Sequence, residues 1–360
     1  MKLADVAALR LANQDLVGPR RANPVDVVSR LGAVQAQDFP GAKWAVAQRT
    51  SDPDDAAVER ALSDGSIIRT HVLRPTWHFV TPADIRWMLA LTAPRVHVAV
   101  AFQTRWLGLD KAAHKKSGRA LTRALQGGKT LTRAELSQVL AQAGLPVAGE
   151  QRLGNFLMHA ELEGIVCSGG RRGKQLTYAL FDERVPLAAS IDRDDALLRL
   201  TNIYFETRGP ATPADFAWWS GLTVADAKKG IDLAGSNLER VVVDGRTFWL
   251  GQLARLRKSE SPTVHLLPNF DEYAVAYRDR GAIAQRLKKS GVDVRNDKSL
   301  ANIVVVDGQL VGTWKRTVKK NVAVVEVSLL TKVNRNERKA IATAAARYGE
   351  FLEMPVEVVI

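Results

Sequence analysis

Two amide side chains separated by one small residue are the most chemically suggestive feature of the sequence. They are Gln35 and Gln37, within Ala33-Val34-Gln35-Ala36-Gln37-Asp38-Phe39-Pro40. On a helix, positions i and i+2 lie roughly 200° apart, whereas in an extended segment they share a side. The spacing predicts a helix opened by Asn23-Pro24 that ends at the triplet, just before Pro40 favours extended backbone. Two readings stand side by side. The amides converge on one small ligand, or they cap the exposed carbonyls of a helix C-terminus. Asp38 reads either as electrostatic support for the pair or as a turn cap.

Other apparent motifs fail on spacing. Gly127-Gly128-Lys129-Thr130 resembles a phosphate loop, but such a loop needs a glycine with four residues between it and its final Gly-Lys, and Arg123, followed by Ala124, stands there. His159-Ala160-Glu161 mimics part of the zinc deaminase signature, yet the single cysteine, Cys167, cannot supply the Pro-Cys-x-x-Cys partner. No two histidines stand at metal-ligand spacing, so neither a metal nor a cofactor is expected. Asp271 and Glu272 are adjacent, so in a strand they point to opposite faces. Arg278 or Arg280 is their expected partner.

The charge balance selects a class of partner. Lys and Arg total 51 against 38 Asp and Glu, a formal net charge of +13 over 360 residues. That excess suits a polyanion. Seven cations and no carboxylate occupy Lys111 to Arg133, among them Lys115 and Lys116, and Lys315, Arg316, Lys319 and Lys320 form a second cluster. Arg171, Arg172 and Lys174 crowd a third short stretch, Gly169 to Lys174. With one cysteine there is no internal disulfide, which suits a reducing cytoplasm. No signal peptide is expected from Met1 to Asp5, and the apolar run Val96 to Phe102 is too short to span a bilayer.

These residues need elements to hold them, and the order of predicted elements repeats. Thr132 to Glu135 opens a helix expected to run to Ala143; a second runs from Gln151 to Gly164. A hairpin with the Gly169 to Lys174 tip follows. The pattern recurs with helices at 196–208, from Thr212-Pro213 and from Thr223, then a hairpin turning at Asp244-Gly245. A looser example spans 23–80, with strands at 67–70 and 75–80. Helix, turn, helix and basic hairpin is winged-helix grammar: one helix for a groove, one wing for the backbone. Beyond 260 the residues turn strand-rich, with strands at 303–306, 310–317 and 322–329 before a helix at 334–351 and a strand at 356–360. The expected class is therefore α+β: three winged helix-turn-helix units at 1–105, 106–190 and 191–258, with a β-rich subdomain at 259–360. Charge and grammar fit a DNA-binding regulator as well as an enzyme.

Three blocks in order narrow the choice. They are Gln35-Ala36-Gln37-Asp38, Arg69-Thr70-His71-Val72-Leu73-Arg74-Pro75-Thr76-Trp77-His78-Phe79-Val80 and Leu266-Leu267-Pro268-Asn269-Phe270-Asp271-Glu272-Tyr273. Together they resemble the AlkZ-like winged-helix DNA glycosylases over essentially the whole chain. The resemblance implies tandem winged-helix units around a concave basic surface. It also implies that Gln35 and Gln37 are the catalytic pair, acting on bulky or crosslinking N7-alkylated purines in double-stranded DNA. A related branch has Asp at the third position, so Gln37 aligns this chain with the glutamine branch.

The implied chemistry is coherent. N7 alkylation leaves guanine cationic, so the base departs without a general acid. The protein must stabilise oxocarbenium-like charge and place a water near C1′, for which neutral amides suffice. No lysine nucleophile is required, so hydrolysis without strand cleavage is expected. His78 alternates with Thr76 and Val80 in a strand pattern; it either faces the groove as catalytic support or is an ordinary half-buried histidine. Arg69, Arg74, Lys115, Lys116, Arg171, Arg172, Lys174, Lys315, Arg316, Lys319 and Lys320 are the expected DNA contacts, mostly to phosphate. The expected state is a monomer, cytoplasmic and nucleoid-associated, without membrane attachment.

Overall fold

The computed structural model describes residues 1–251, 262–291 and 301–360. The expected boundary between residues 258 and 259 lies outside them. The chain forms a mixed α/β fold in two compact units, one comprising Met1–Val58, Leu198–Trp219 and Thr223–Ile360, the other Glu59–Leu197 with Ser220–Leu222. No helix among the described residues is long and apolar enough to cross a membrane.

The first unit is built on a five-stranded sheet. Its strands Val264–Leu267, Ile303–Val306, Gln309–Val318 and Ala323–Leu329 pair antiparallel, and Val356–Val359 joins the last of them in parallel. The helix Arg335–Leu352 packs on Val264–Leu267. Tyr348 of that helix meets Trp44 and Trp314 edge-on at 5.2 and 5.3 Å, arrangements favoured by the ring quadrupole. Both indoles also find polar partners: Trp44 Nε1 donates to the Leu266 carbonyl at 2.7 Å and Trp314 Nε1 to that of Leu267 at 2.8 Å. Two buried tryptophans thereby fix one strand from opposite ends of the sequence.

The second unit carries the two helices and the hairpin expected between residues 106 and 190, with a helix at Lys111–Leu125 and a short strand at Leu131–Thr132 in addition. The helices are Lys111–Leu125, Arg133–Gln142 and Glu150–Leu162; the strand order is Leu131–Thr132, Thr177–Leu180, Val166–Ser168. Thr132 starts the middle helix as expected, its hydroxyl accepting from Glu135 N–H while the Glu135 carboxylate accepts from Thr132 N–H. Leu121, Leu125, Leu136, Leu140, Phe156 and Leu157 form its core, burying the apolar stripe of each helix. The hairpin Leu238–Val243 with Arg246–Gly251, in the first unit, turns at Asp244-Gly245 with both φ angles positive, the conformation a tight hairpin turn demands.

The triplet is not at the end of a helix. The helix Pro24–Leu31 stops at Gly32, whose φ of 72° suits a residue without a side chain. Residues 33–37 are non-helical, with a short strand at Val34–Gln35, and the next helix, Phe39–Ala47, begins before the proline expected to oppose it. Pro40 falls in the first turn of that helix, where its missing N–H costs nothing.

Candidate active site

Gln35 and Gln37 lie in the first unit, and their surroundings differ. Val34, Gln35 and Ala36 are buried, Gln35 at 5% exposure, whereas Gln37 is exposed and Asp38 half-buried. Asp38 caps the helix Phe39–Ala47, accepting from Gly41 N–H at 3.3 Å. Its other carboxylate oxygen faces Arg316 at 3.6 Å. A side chain at position 41 would lie 2.5 Å from Asp38 Oδ2, so glycine is needed there to admit the cap.

The backbone carrying the triplet is held by a buried ion pair. Arg208 and Glu272 are both fully buried, with Arg208 Nη2 2.8 Å from Glu272 Oε2. Arg208 also donates to the carbonyls of Leu31 and Ala33, each at 2.8 Å. Glu272 Oε1 accepts from the N–H of Gln35 at 2.9 Å, and Oε2 accepts from Trp219 Nε1 at 2.9 Å. Trp219 also presents its ring to the Arg208 guanidinium at 4.2 Å. Two opposite charges thus bind the main chain on both sides of Val34, where buried polar groups need partners. Removing either partner would strand the other in a dry interior.

The expected partners of the acidic pair are therefore corrected. Asp271 binds Arg49 through both oxygens at 2.8 Å, and Glu272 binds Arg208, rather than Arg278 or Arg280. The pair starts a short helix, Glu272–Val275, capped by Asp271, so the two carboxylates diverge from a helix start and not across a strand. Burial lowers and the Asp271 carboxylate raises the Arg49 guanidinium, which ends above its ordinary value.

The basic residues fall into three settings. Lys315 and Arg316 lie on the strand Gln309–Val318, and Lys319 and Lys320 form the turn before Ala323–Leu329, where Lys319 N–H donates to the Val322 carbonyl at 2.9 Å. Lys315, Lys319 and Lys320 are exposed, whereas Arg316 is half-buried near Asp38. In the second unit, Lys115 and Lys116 are exposed on Lys111–Leu125. Arg171 pairs with Glu59 at 2.6 Å and Arg172 pairs with Glu135, while Lys174 is exposed at the hairpin tip. Arg69 stacks over the Trp77 ring at 4.3 Å; burial pushes its guanidinium below the ordinary value, with Glu161 acting against that shift. Arg74 is half-buried in the turn after Leu73, whose φ is 64°.

His78 is fully buried on the strand Trp77–Val80, not half-buried. Its Nδ1 lies 2.9 Å from the Thr76 carbonyl, which can only accept, so Nδ1 carries the proton. Glu161, the last residue of the deaminase-like tripeptide, is buried in short contact with His71 Nδ1. The histidine spacing along the sequence predicted no metal ligands. The fold nevertheless brings His97, His159 and Glu163 of the second unit together, their ligand atoms all within 4.8 Å of one another.

The family of AlkZ-like DNA glycosylases matches residues 28–351, and the chain belongs to it. Its members are hydrolases of N-glycosyl bonds. An interstrand DNA cross-link repair glycosylase from Streptomyces sahachiroi is 28% identical over 327 residues, covering 86% of each chain. The solved structure of the Streptomyces sahachiroi DNA glycosylase AlkZ superposes with a TM-score of 0.81 at 26% identity over the full length of both chains. The mixed α/β fold is the same in the two.

Proposed function

We propose that the protein hydrolyses the N-glycosidic bond of N7-alkylguanine in duplex DNA, including bulky and interstrand-crosslinked adducts, and leaves the strand intact. The observation that carries this reading is the fixed segment 33–37. There a buried and an exposed amide stand two residues apart, and the main chain of the buried one is clamped by Arg208 and Glu272. A cationic base leaves without protonation, so the work remaining is electrostatic stabilisation at the sugar and placement of one water. Gln35 and Gln37 act there as orienting dipoles, with Asp38 in support. The relative from Streptomyces sahachiroi, named for interstrand cross-link repair, supports bulky adducts as substrates.

The rest of the chain presents the duplex to this segment. The element order of helices followed by a hairpin occurs at 24–80, 111–180 and 193–251, and supports three winged-helix units with a β-rich C-terminal part. Lys315, Lys319 and Lys320 on the exposed hairpin, Lys115 and Lys116 on a helix, and Lys174 at a wing tip bind phosphates on a concave basic surface. Arg69, Arg74, Arg171, Arg172 and Arg316 shape or reinforce that surface, and His78 supports the wing strand from the interior. The protein acts as a monomer on chromosomal DNA in the cytoplasm.

The test is a duplex carrying one N7-alkylguanine, incubated with the protein and divided before analysis. Release of the free base with strand scission only after alkaline treatment is the expected result. Scission without alkali would overturn the hydrolytic assignment, and absence of base release from methyl, bulky and crosslinked substrates would overturn the substrate class.

A further inference from the structure

The Gln35–Gln37 segment uses none of the histidines of the second unit, and three of these line a single large cavity there. His97 projects from the helix Pro82–Trp106, His114 from Lys111–Leu125 and His159 from Glu150–Leu162, with Glu163 at the end of the last helix. All four line an open cavity of about 1410 Å³. His159 and Glu163 are four residues apart, which puts them on one helix face. His97 reaches them from a different helix, so the cluster could not be read from histidine spacing.

The geometry of the cluster is that of ligands around a common point. His97 Nε2 lies 2.9 Å from Glu163 Oε1, yet this nitrogen is buried and makes no hydrogen bond. Close approach without hydrogen-bond alignment means that the two atoms aim past one another. Ligand atoms of His97, His159 and Glu163 all fall within 4.8 Å of one another. Ligands at roughly 2.1 Å around a tetrahedral ion stand about 3.4 Å apart. Small side-chain rotations of the partly exposed His97 and Glu163, 30% and 49% exposed, close that difference.

His114 supplies an independent sign that a polar occupant belongs here. Its ring stacks on His159 at 4.0 Å and 8°, and both ring nitrogens are buried without a hydrogen-bond partner. A neutral imidazole always has one N–H to place, so leaving both nitrogens unsatisfied is costly.

We propose that His97, His159 and Glu163 form a binding site for a divalent transition-metal ion of the zinc type. Two imidazoles and one carboxylate supply three ligands, water completes the shell, and His114 hydrogen-bonds to that water. The chemistry of the cavity selects the ion. Lys111, Lys115, Arg119 and Arg123 also line it, with Asp110 as the other carboxylate, so a hard cation relying on charge and oxygen ligands is repelled. An ion with real affinity for imidazole nitrogen is not excluded by that field. Bound there, it ties the helix Pro82–Trp106 to Glu150–Leu162 and stabilises this unit, a role separate from the glycosidic chemistry.

The test uses the full chain, freed of metal by chelation and titrated with Zn2+ alone in a calorimeter at pH 7.5. One ion per chain is expected, with at least a tenfold loss of affinity in His97→Ala and in His159→Ala. Co2+ should develop the intense visible bands of a four- or five-coordinate site in the wild type, and these should weaken in Glu163→Gln, a change at an exposed position that leaves folding intact. Zn2+ should also raise the Tm of the wild type and not that of His159→Ala. The proposal is overturned by folded wild-type protein that binds no Zn2+, by equal binding in both histidine variants, or by Co2+ bands unchanged in Glu163→Gln.

Discussion

Glu272 accepts the main-chain N–H of Gln35 at 2.9 Å across 237 residues of sequence. The same carboxylate holds Arg208, which holds the carbonyls of Leu31 and Ala33 in turn. A buried charge pair thus holds the backbone that carries the amide. Glu272→Ala removes one partner and leaves the Arg208 guanidinium uncompensated, so a loss of about 3–5 kcal/mol is expected in urea unfolding. Glu272→Gln keeps the acceptor for Gln35 and should be milder than the alanine change.

The exposed hairpin should bind phosphate. Lys319→Ala with Lys320→Ala is expected to weaken duplex binding equally for all sequences. It should also reduce the slope of log affinity against log salt by about 1 for each phosphate that is no longer neutralised. Fluorescence anisotropy across a salt series measures both. A change confined to one sequence would argue for base reading instead.

Acid should destabilise the first unit through His265. This ring is buried on the strand Val264–Leu267 and is pushed down to about 3 by burial, with Arg20 and Arg49 adding to the effect. Unfolded, it titrates near its ordinary value, about 6.5. Between those values the unfolded chain binds the extra proton, so stability rises with pH across this window and is lost on acidification from 6.5 toward 3. One such group contributes about 1.4 kcal/mol per pH unit. Urea unfolding between pH 4.5 and 6 should therefore depend less steeply on pH in His265→Gln by about that amount.

Gln37 and Gln35 should separate stability from chemistry. Gln37 is exposed, so Gln37→Ala is expected to change unfolding free energy by less than about 0.5 kcal/mol. Gln35 is buried, and truncating it should cost stability as well as rate. Thermal unfolding of the two variants side by side checks this asymmetry.

Local signals carried much of this architecture. Thr132 with Glu135, Asn334 with Glu337 and the turn at Asp244-Gly245 mark their elements, because capping and tight turns depend on neighbours in sequence. The helix Pro82–Trp106 was obscured because it contains Pro94 and lacks a single apolar face. The helix Phe39–Ala47 was obscured by a proline that in fact sits comfortably in its first turn. The glutamine pair was legible as a motif, but its anchor was not. Arg208 and Glu272 meet Gln35 only through the fold, and the one local hint was an acidic pair following the apolar run of Leu266 and Leu267. His97 escaped for the same reason, since its partners lie on another helix.

The proposed hydrolysis rests on two amides of the fixed 33–37 segment. Its most direct test is the single-turnover rate of base release from an N7-alkylguanine duplex by Gln37→Ala, with duplex affinity measured in parallel. A rate lower by about 10- to 1,000-fold at unchanged affinity is predicted. Wild-type rates in folded Gln37→Ala and in the Gln35→Ala, Gln37→Ala double variant would contradict it.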